Sequence, residues 1–267
     1  MPGLSLITFN IANPSVERAD KLLEWLASRP EDVLVLTETK ASDGCRHLAD
    51  AFRTAGYAVS YPEPGPGEYG VMIVSKYATE PDPIERLTYL PTRAIGVRIA
   101  TDHGPLRVLG AYIPSRDASP EKVERKKRWL AEFSAALTNT DNGTVFLGDF
   151  NVLEPDHQPR YPFFQTFEYD FYRALTDQHG LLDAFRHLHP DQREYSWVGR
   201  TGDGYRYDHA HASKDLIAEL THCEYVHEPR VSRLSDHSAL TVRLTLSGTA
   251  PLLTSDPVEA ASPPTLF

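Results

Sequence analysis

A mixed fold, α/β in the α+β sense with substantial antiparallel sheet, is what this sequence predicts, on three observations. Short apolar runs rich in Val, Ile and Leu recur along the chain, mostly bounded by Gly, Pro, Asn or Asp, as strands are. Stretches whose apolar residues keep a helical spacing lie between some of them. The runs from 69 to 112 leave no room for intervening helices, so helices and strands do not alternate strictly and part of the sheet pairs antiparallel.

Taken in order, the strand runs are residues 4–9, 33–37, 71–74, 95–99, 108–112, 145–147 and 240–246. A helix is expected over 16–26, where Leu22, Leu23 and Leu26 share a face, and another over 48–52, ending before Gly56. A longer one begins at Ser119, an N-cap type of residue followed by Pro120, and Val123, Leu130, Phe133 and Leu137 continue its spacing. Residues 61–70, with three prolines and three glycines, read as a loop. From 247 to 267 the chain is rich in Pro, Ser, Ala and Thr without periodicity and is expected to be a mobile tail on one domain spanning 1–246.

A chain of 267 residues that is 41% hydrophobic can bury one large core. No stretch approaches the roughly 18 uncharged apolar residues of a membrane span, and the N-terminal run has no basic flank, so a cytoplasmic chain without a membrane is expected. Cys45 and Cys223 are too few for a disulfide framework and lack zinc-site spacing. A net charge of −10 excludes a protein that coats nucleic acid non-specifically, because such binding comes from Lys and Arg neutralising phosphates.

Several apolar strands end in a polar side chain, which places that group at a sheet edge where a cleft can form. The run at 4–9 leads to Asn10, VLVLTE ends in Glu38, and TVFLGDFN ends in Asp149 and Asn151, whose separation of two puts both on one face of an extended segment. YRYDHAH contributes Asp208, and RLSDHSAL contributes Asp236 and His237. Each alone has a plain structural explanation: a turn after a core strand, or an N-cap beside a surface histidine.

Together and in this order, TFN, LTETK, YGVMIVS, GAYIPS, GDFN, the Tyr-Asp-His around 208 and SDH resemble the endonuclease/exonuclease/phosphatase superfamily over residues 4–246. LTETK, GAYIPSRD before a long charged helix, GLLDAFRHLHP, REYSWVGR and GYRYDHAHAS are most similar to its exonuclease III type apurinic endonucleases. That resemblance implies a four-layer α/β/β/α sandwich of two mainly antiparallel sheets, as in DNase I. It also implies a Mg²⁺- or Mn²⁺-dependent phosphodiesterase with DNA as the favoured substrate, acting as apurinic endonuclease, 3′-to-5′ exonuclease or 3′-phosphatase; a monomer is expected, and no protein partner is evident in the sequence.

The implied metal ligands are Glu38, Asn10 and Asp236, in keeping with the one or two carboxylates that Mg²⁺ takes. His237 is implied to contact the phosphate or move a proton, held by Asp208. Asp149 is implied to position or deprotonate the attacking water and Asn151 to donate to a phosphate oxygen; whether Asp149 or His237 is the general base stays open. Tyr112 matches the family's active-site tyrosine, against a plain half-buried strand aromatic, and Trp197 resembles a family aromatic near a flipped or abasic sugar, with core packing as the equal alternative; Arg206, just before the Asp208 strand, reads as a solvated arginine or a DNA-backbone contact. Lys122, Arg125, Lys126, Lys127 and Arg128 form a basic run that reads as a solvated face or a phosphate contact. His209, His211 and His222 carry no assignment.

Two features leave room for other functions. The acidic charge suits a small or lipid phosphoester better than a duplex, and the aromatic-rich segment EPDHQPRYPFFQTFEYD departs from the family pattern, pointing to a different substrate surface or a packed loop. A binding module that lost catalysis is the third reading, opposed by the intact set of carboxylates and histidine.

Overall fold

The computed structural model describes residues 3–140 and 142–261. The N-terminal part runs through β1 (Ser5–Asn10), α1 (Val16–Ala27), β2 (Val33–Thr39), α2 (Asp43–Thr54), β3 (Ala58–Ser60) and β4 (Gly70–Ser75). Next come β5 (Thr79–Pro81), β6 (Ala94–Thr101), β7 (Gly104–Tyr112), α3 (Pro120–Ala136), β8 (Thr144–Asp149), α4 (Thr166–Asp177), β9 (Leu181–Asp183) and α5 (Ala184–Leu188). A short hairpin of β10 (Trp197–Val198) and β11 (Gly204–Tyr205) leads to β12 (Asp208–Ser213), α6 (Lys214–Ala218), β13 (Leu220–Val226), α7 (Glu228–Val231), β14 (Ala239–Leu244) and α8 (Pro257–Ala261).

Two six-stranded sheets result, ordered β13-β14-β1-β2-β4-β3 and β5-β6-β7-β8-β12-β9. Each has one parallel pair, β1 with β2 and β7 with β8, among antiparallel neighbours. A parallel pair needs a crossover, and α1 and α3 supply the two.

The strand period of two sorts the core into three layers. Leu4, Leu6, Val33 and Val35 meet Val108, Val145 and Leu147 between the sheets. The alternate residues Ile7, Phe9, Leu34 and Leu36 turn to Leu22, Leu23, Leu26, Leu48 and Phe52 of α1 and α2. On the far side Leu109 and Phe146 pack against Trp129, Leu130 and Phe133 of α3 and against Phe171 and Leu175 of α4. Central strands covered on both faces are apolar throughout, which is why they read as continuous runs. The architecture is the four-layer α/β/β/α sandwich expected.

Three details differ from the sequence reading. Ser119 occupies the position before α3, with Pro120 opening the helix, but its hydroxyl donates to Asp117 Oδ1 (2.6 Å) and makes no capping bond. The aromatic-rich segment is partly α4, begun by a capping box in which Glu168 accepts from the Gln165 N–H. Residues 248–261, expected to be mobile, follow the domain surface. Gly248 bridges Thr101, Pro251 bridges Tyr77, and Val258 and Ala261 of α8 pack on the cluster that holds α1 and α2. The rest of that expected tail, 262–267, lies outside the described residues. Among the described residues no helix is long and apolar enough to cross a membrane.

Candidate active site

Parallel strands bring their C-terminal ends to one edge, and here two such pairs do so on facing sheets. Asn10 ends β1 and lies opposite Thr37 of β2, one residue before Glu38. Tyr112, Asp149 and Asp208 form a row across the second sheet: Tyr112 ends β7 opposite Asp149 at the end of β8, and Asp208 opens antiparallel β12 opposite Asp149. His237 stands just before β14 and bridges Trp197.

The backbone at this edge leaves the regular ladder. Pairing of β2 with β4 shifts register between Thr37 and Thr39, and Glu38 sits at φ +59°, a left-handed conformation that L-residues adopt at a cost on the order of 1–3 kcal/mol. Gly148, at φ +153°, passes so close to β7 that a Cβ there would lie 2.0 Å from the Ala111 carbonyl oxygen. Asn151 is also left-handed (φ +51°). Asp149 and Asn151 therefore converge through an Asx-type turn, in which the Asn151 N–H donates to Asp149 Oδ1 (2.9 Å), and not through the period of an extended strand.

Asn10 Nδ2 donates to Asp149 Oδ2 (2.9 Å), and the Asn10 side chain also hydrogen-bonds Glu38. His237 Nδ1 lies 2.7 Å from Asp208 Oδ2, and its Nε2 is 4.0 Å from Asp149 Oδ2. Burial opposes the charge on His237, but Asp208 and Asp149 outweigh it and raise the imidazole to about 10, an imidazolium at neutral pH. Burial and the charge of Asp208 push the Asp149 carboxyl up, against His237 and Asn10. Burial also raises Glu38, with Asp236 adding to it and Asn10 and His237 opposing. Tyr112 is buried, and burial together with Glu38 and Asp149 holds its phenol protonated.

The donor set fits a cation. Asp149, Asp208 and His237 offer ligand atoms within 4.8 Å of one another, Asp208 Oδ1 has no hydrogen-bond partner, and burial raises both Glu38 and Asp149. On the β1–β2 side Glu38 adds a carboxylate and Asn10 an amide oxygen that also accepts from the Ala12 N–H (2.9 Å). Asp236 is exposed at that side, its Oδ2 accepting from Trp197 Nε1 (3.0 Å).

Asn10, Glu38, Tyr112, Asp149, Asn151, Asp208, Asp236 and His237 thus gather at one edge, with half-buried Trp197 at the rim. Arg206 does not. It is fully buried, its Nη2 bonded to Glu154 Oε2 and Asp183 Oδ2 (2.6 Å each), so it ties the β9 strand to the loop after Asn151 and cannot meet a substrate backbone. Nor is Lys126 part of a solvated basic face. It too is buried, donating to the Asn151 carbonyl (2.5 Å) and to Glu168 Oε1 (2.7 Å). The Asn151 amide, expected to face phosphate, donates to the Ile113 carbonyl (3.0 Å) and keeps one further N–H.

Supporting residues went unassigned in sequence. Ser196 Oγ accepts from the Tyr207 and Asp208 N–H groups (3.0 Å each), and Tyr225 donates to the Asp208 carbonyl. Ser235 Oγ donates to the Asn10 carbonyl (2.6 Å) and accepts from the His237 N–H (3.2 Å), joining both halves of the site. Ser196 and Ser235 lie inside the YSW and SDH motifs, the one signal that could have marked them.

A model of the Endonuclease/Exonuclease/phosphatase family matches residues 7–237. Recombination repair protein 1 of Drosophila melanogaster is 26% identical over 261 residues, which take in 90% of this chain and 37% of that protein. DNA repair nuclease APEX1 of Danio rerio is 28% identical over 190 residues, 64% of this chain and 58% of that one. The chain spans less than two thirds of either relative. A 3′ phosphatase from Neisseria, solved with its product DNA hairpin, superposes with a TM-score of 0.77 at 25% identity over 90% of this chain and 99% of that one. With a match that begins in β1 and ends on His237, this chain belongs to the endonuclease/exonuclease/phosphatase family.

Proposed function

We propose that this chain is a Mg²⁺- or Mn²⁺-dependent DNA nuclease of the exonuclease III type, incising at abasic sites and processing 3′ termini. The observation that carries this reading is the convergence of the Asp208–His237 pair on Asp149, beside the carboxylate of Glu38, at one sheet edge. Relatives named for DNA repair and a structural neighbour bound to a DNA product support DNA as the substrate.

Glu38, Asn10 and Asp236 would hold the cation. Bound there, it supplies charge neutralisation on the phosphate oxygens and acidifies water. Imidazolium His237, its Nδ1 engaged by Asp208, presents Nε2–H to a non-bridging oxygen, where developing charge is stabilised. Asp149, with burial favouring its protonated form, accepts the proton of the attacking water while Asn10 orients its second oxygen. Tyr112 stays protonated and donates to the phosphate. In this reading Asp149 is the general base and His237 the electrostatic partner, which the pairing of His237 with Asp208 supports.

The test is incubation with Mg²⁺ of a duplex carrying an abasic analogue, a blunt duplex and a small phosphodiester. Incision at the analogue, abolished by EDTA and by Glu38→Gln, is the expected result. Turnover of the small ester alone would establish the second reading, which the net charge of −10 and the burial of Lys126 favour.

A further inference from the structure

A strip of aromatic rings leads away from the site and ends at a cavity that the nuclease chemistry does not use. Trp197, beside Asp236 and His237, leans on Tyr205 and Tyr207 (ring centroids 5.4 and 6.0 Å). Tyr207 stacks on Tyr205 (5.1 Å) and Tyr205 on Tyr161 (4.3 Å), and His157 meets Tyr161, Tyr205 and Tyr195. His157 and Tyr195 line a cavity of about 550 Å³, within the size range of small-molecule sites.

Both cavity walls continue segments of the active site. Glu154 lies three residues after Asn151, and Tyr195 two before Trp197, so the cavity sits within about 10 Å of chain from each. His157 is 5% exposed, its Nε2 has no hydrogen-bond partner among the described residues, and burial lowers it to about 4, leaving a neutral imidazole. Glu154 and Asp183 are neutralised by Arg186 and Arg206. Asp156 and Asp191 remain as acceptors, against Arg193, while Glu194 Oε1 already accepts from the Tyr195 N–H (2.8 Å). Such a lining repels phosphate. It suits a neutral ring with amino donors at its edge.

We propose that this cavity takes an unpaired nucleobase of the substrate strand, so that DNA with unpaired nucleotides beside the cleaved bond is preferred to fully paired duplex. The inference rests on the DNA nuclease reading and adds a substrate class to it. Aromatic faces hold bases without regard to sequence, the unpartnered His157 Nε2 is left to bond the base edge, and the carboxylates favour adenine, cytosine and guanine, which carry exocyclic amines, over thymine.

The experiment compares kcat/KM on a duplex ending in two unpaired 3′ adenines, the same duplex with abasic analogues or thymines there, and a blunt duplex. We expect the native protein to favour the adenine overhang over the abasic one about 10-fold. His157→Phe should reduce that ratio below about 3 while leaving the blunt duplex unaffected. Asp156→Asn/Asp191→Asn, at two exposed positions whose change does not threaten folding, should abolish the preference of adenine over thymine. A native ratio near one, or ratios unchanged in both variants, overturns the inference. If no DNA is cleaved, the DNA nuclease reading fails by itself, and the cavity is tested with 2-aminopurine riboside. Saturable fluorescence quenching that His157→Phe removes then supports base binding, and its absence overturns it.

Discussion

Asn10 Nδ2 and Asp149 Oδ2, 2.9 Å apart, join the two sheets at their common edge. The bond fixes the carboxylate that faces His237 to the residue that also holds Glu38. Asn10→Ala removes a side chain that hydrogen-bonds both acids, and Asp149 loses a donor to its charged form. Activity should fall by about 10- to 100-fold, the usual cost of losing a hydrogen-bonded support of a metal site. A steady-state assay with unchanged circular dichroism checks it; activity within twofold of native would remove Asn10 from the site.

Asp208→Asn tests the electrostatics of the pair without changing shape. His237 is raised to about 10 chiefly by Asp208 and Asp149, against burial. Replacing the first carboxylate by an amide lowers the imidazole, since the charged form loses its nearest anion. In metal-free protein, ring NMR signals of His237 should show no titration between pH 6 and 9 in the native chain and a midpoint shifted downward in the variant. A native midpoint near 6.5, the ordinary value, would show that the pair does not hold an imidazolium.

Lys126→Met isolates a buried charge. Among the described residues Glu168 then keeps Arg116 as its cation, and the Asn151 carbonyl loses the Lys126 donor. Breaking a buried pair from one side costs about 3–5 kcal/mol, so a large drop in the urea midpoint is expected. Adding Glu168→Leu should lower the midpoint further, because that carboxylate also pairs the buried Arg116 guanidinium and accepts from the Gln165 N–H, both of which would lose that acceptor. A double variant more stable than the single would mean that these buried charges cost the fold more than they return.

Those same residues mark where sequence was legible and where it was not. Strands such as 33–37 and 145–147 declared themselves because burial on both faces makes them apolar throughout. The site declared itself because its side chains end those strands within compact motifs. Arg206 and Lys126 could not, since their carboxylate partners Glu154 and Glu168 are 52 and 42 residues distant and only folding brings them together. Helix α4 was hidden by the preceding run PRYPFFQ, whose prolines and aromatics mask the helical spacing of Phe167, Phe171 and Leu175. In 248–261 the contacts of Leu252 and Ser255 are largely backbone bonds to Lys76 and Ala55, which leave no mark on side-chain pattern.

Acid should destabilise the fold in two stages. Burial holds His157 at about 4 and His211 at about 3, so both are neutral in the native state while their unfolded counterparts take up protons near 6.5. The contribution of these two histidines is therefore level above pH 6.5 and declines below it, by at most about 1.4 kcal/mol per pH unit for each, whereas His237, raised to about 10, loses its contribution as pH rises above 6.5. Burial would raise Glu154, but Arg186 and Arg206 outweigh it and hold it at about 2. Its contribution is complete above the unfolded carboxylate value near 4.5 and is lost as pH falls toward 2. The urea midpoint should decrease from pH 5.5 to pH 4, below the range in which the protonation of His237 differs between the folded and unfolded chain. His211→Phe flattens the first stage if the variant folds, because the imidazole is what the unfolded chain protonates. A midpoint constant from pH 5.5 to 4 would mean that neither histidine is buried neutral.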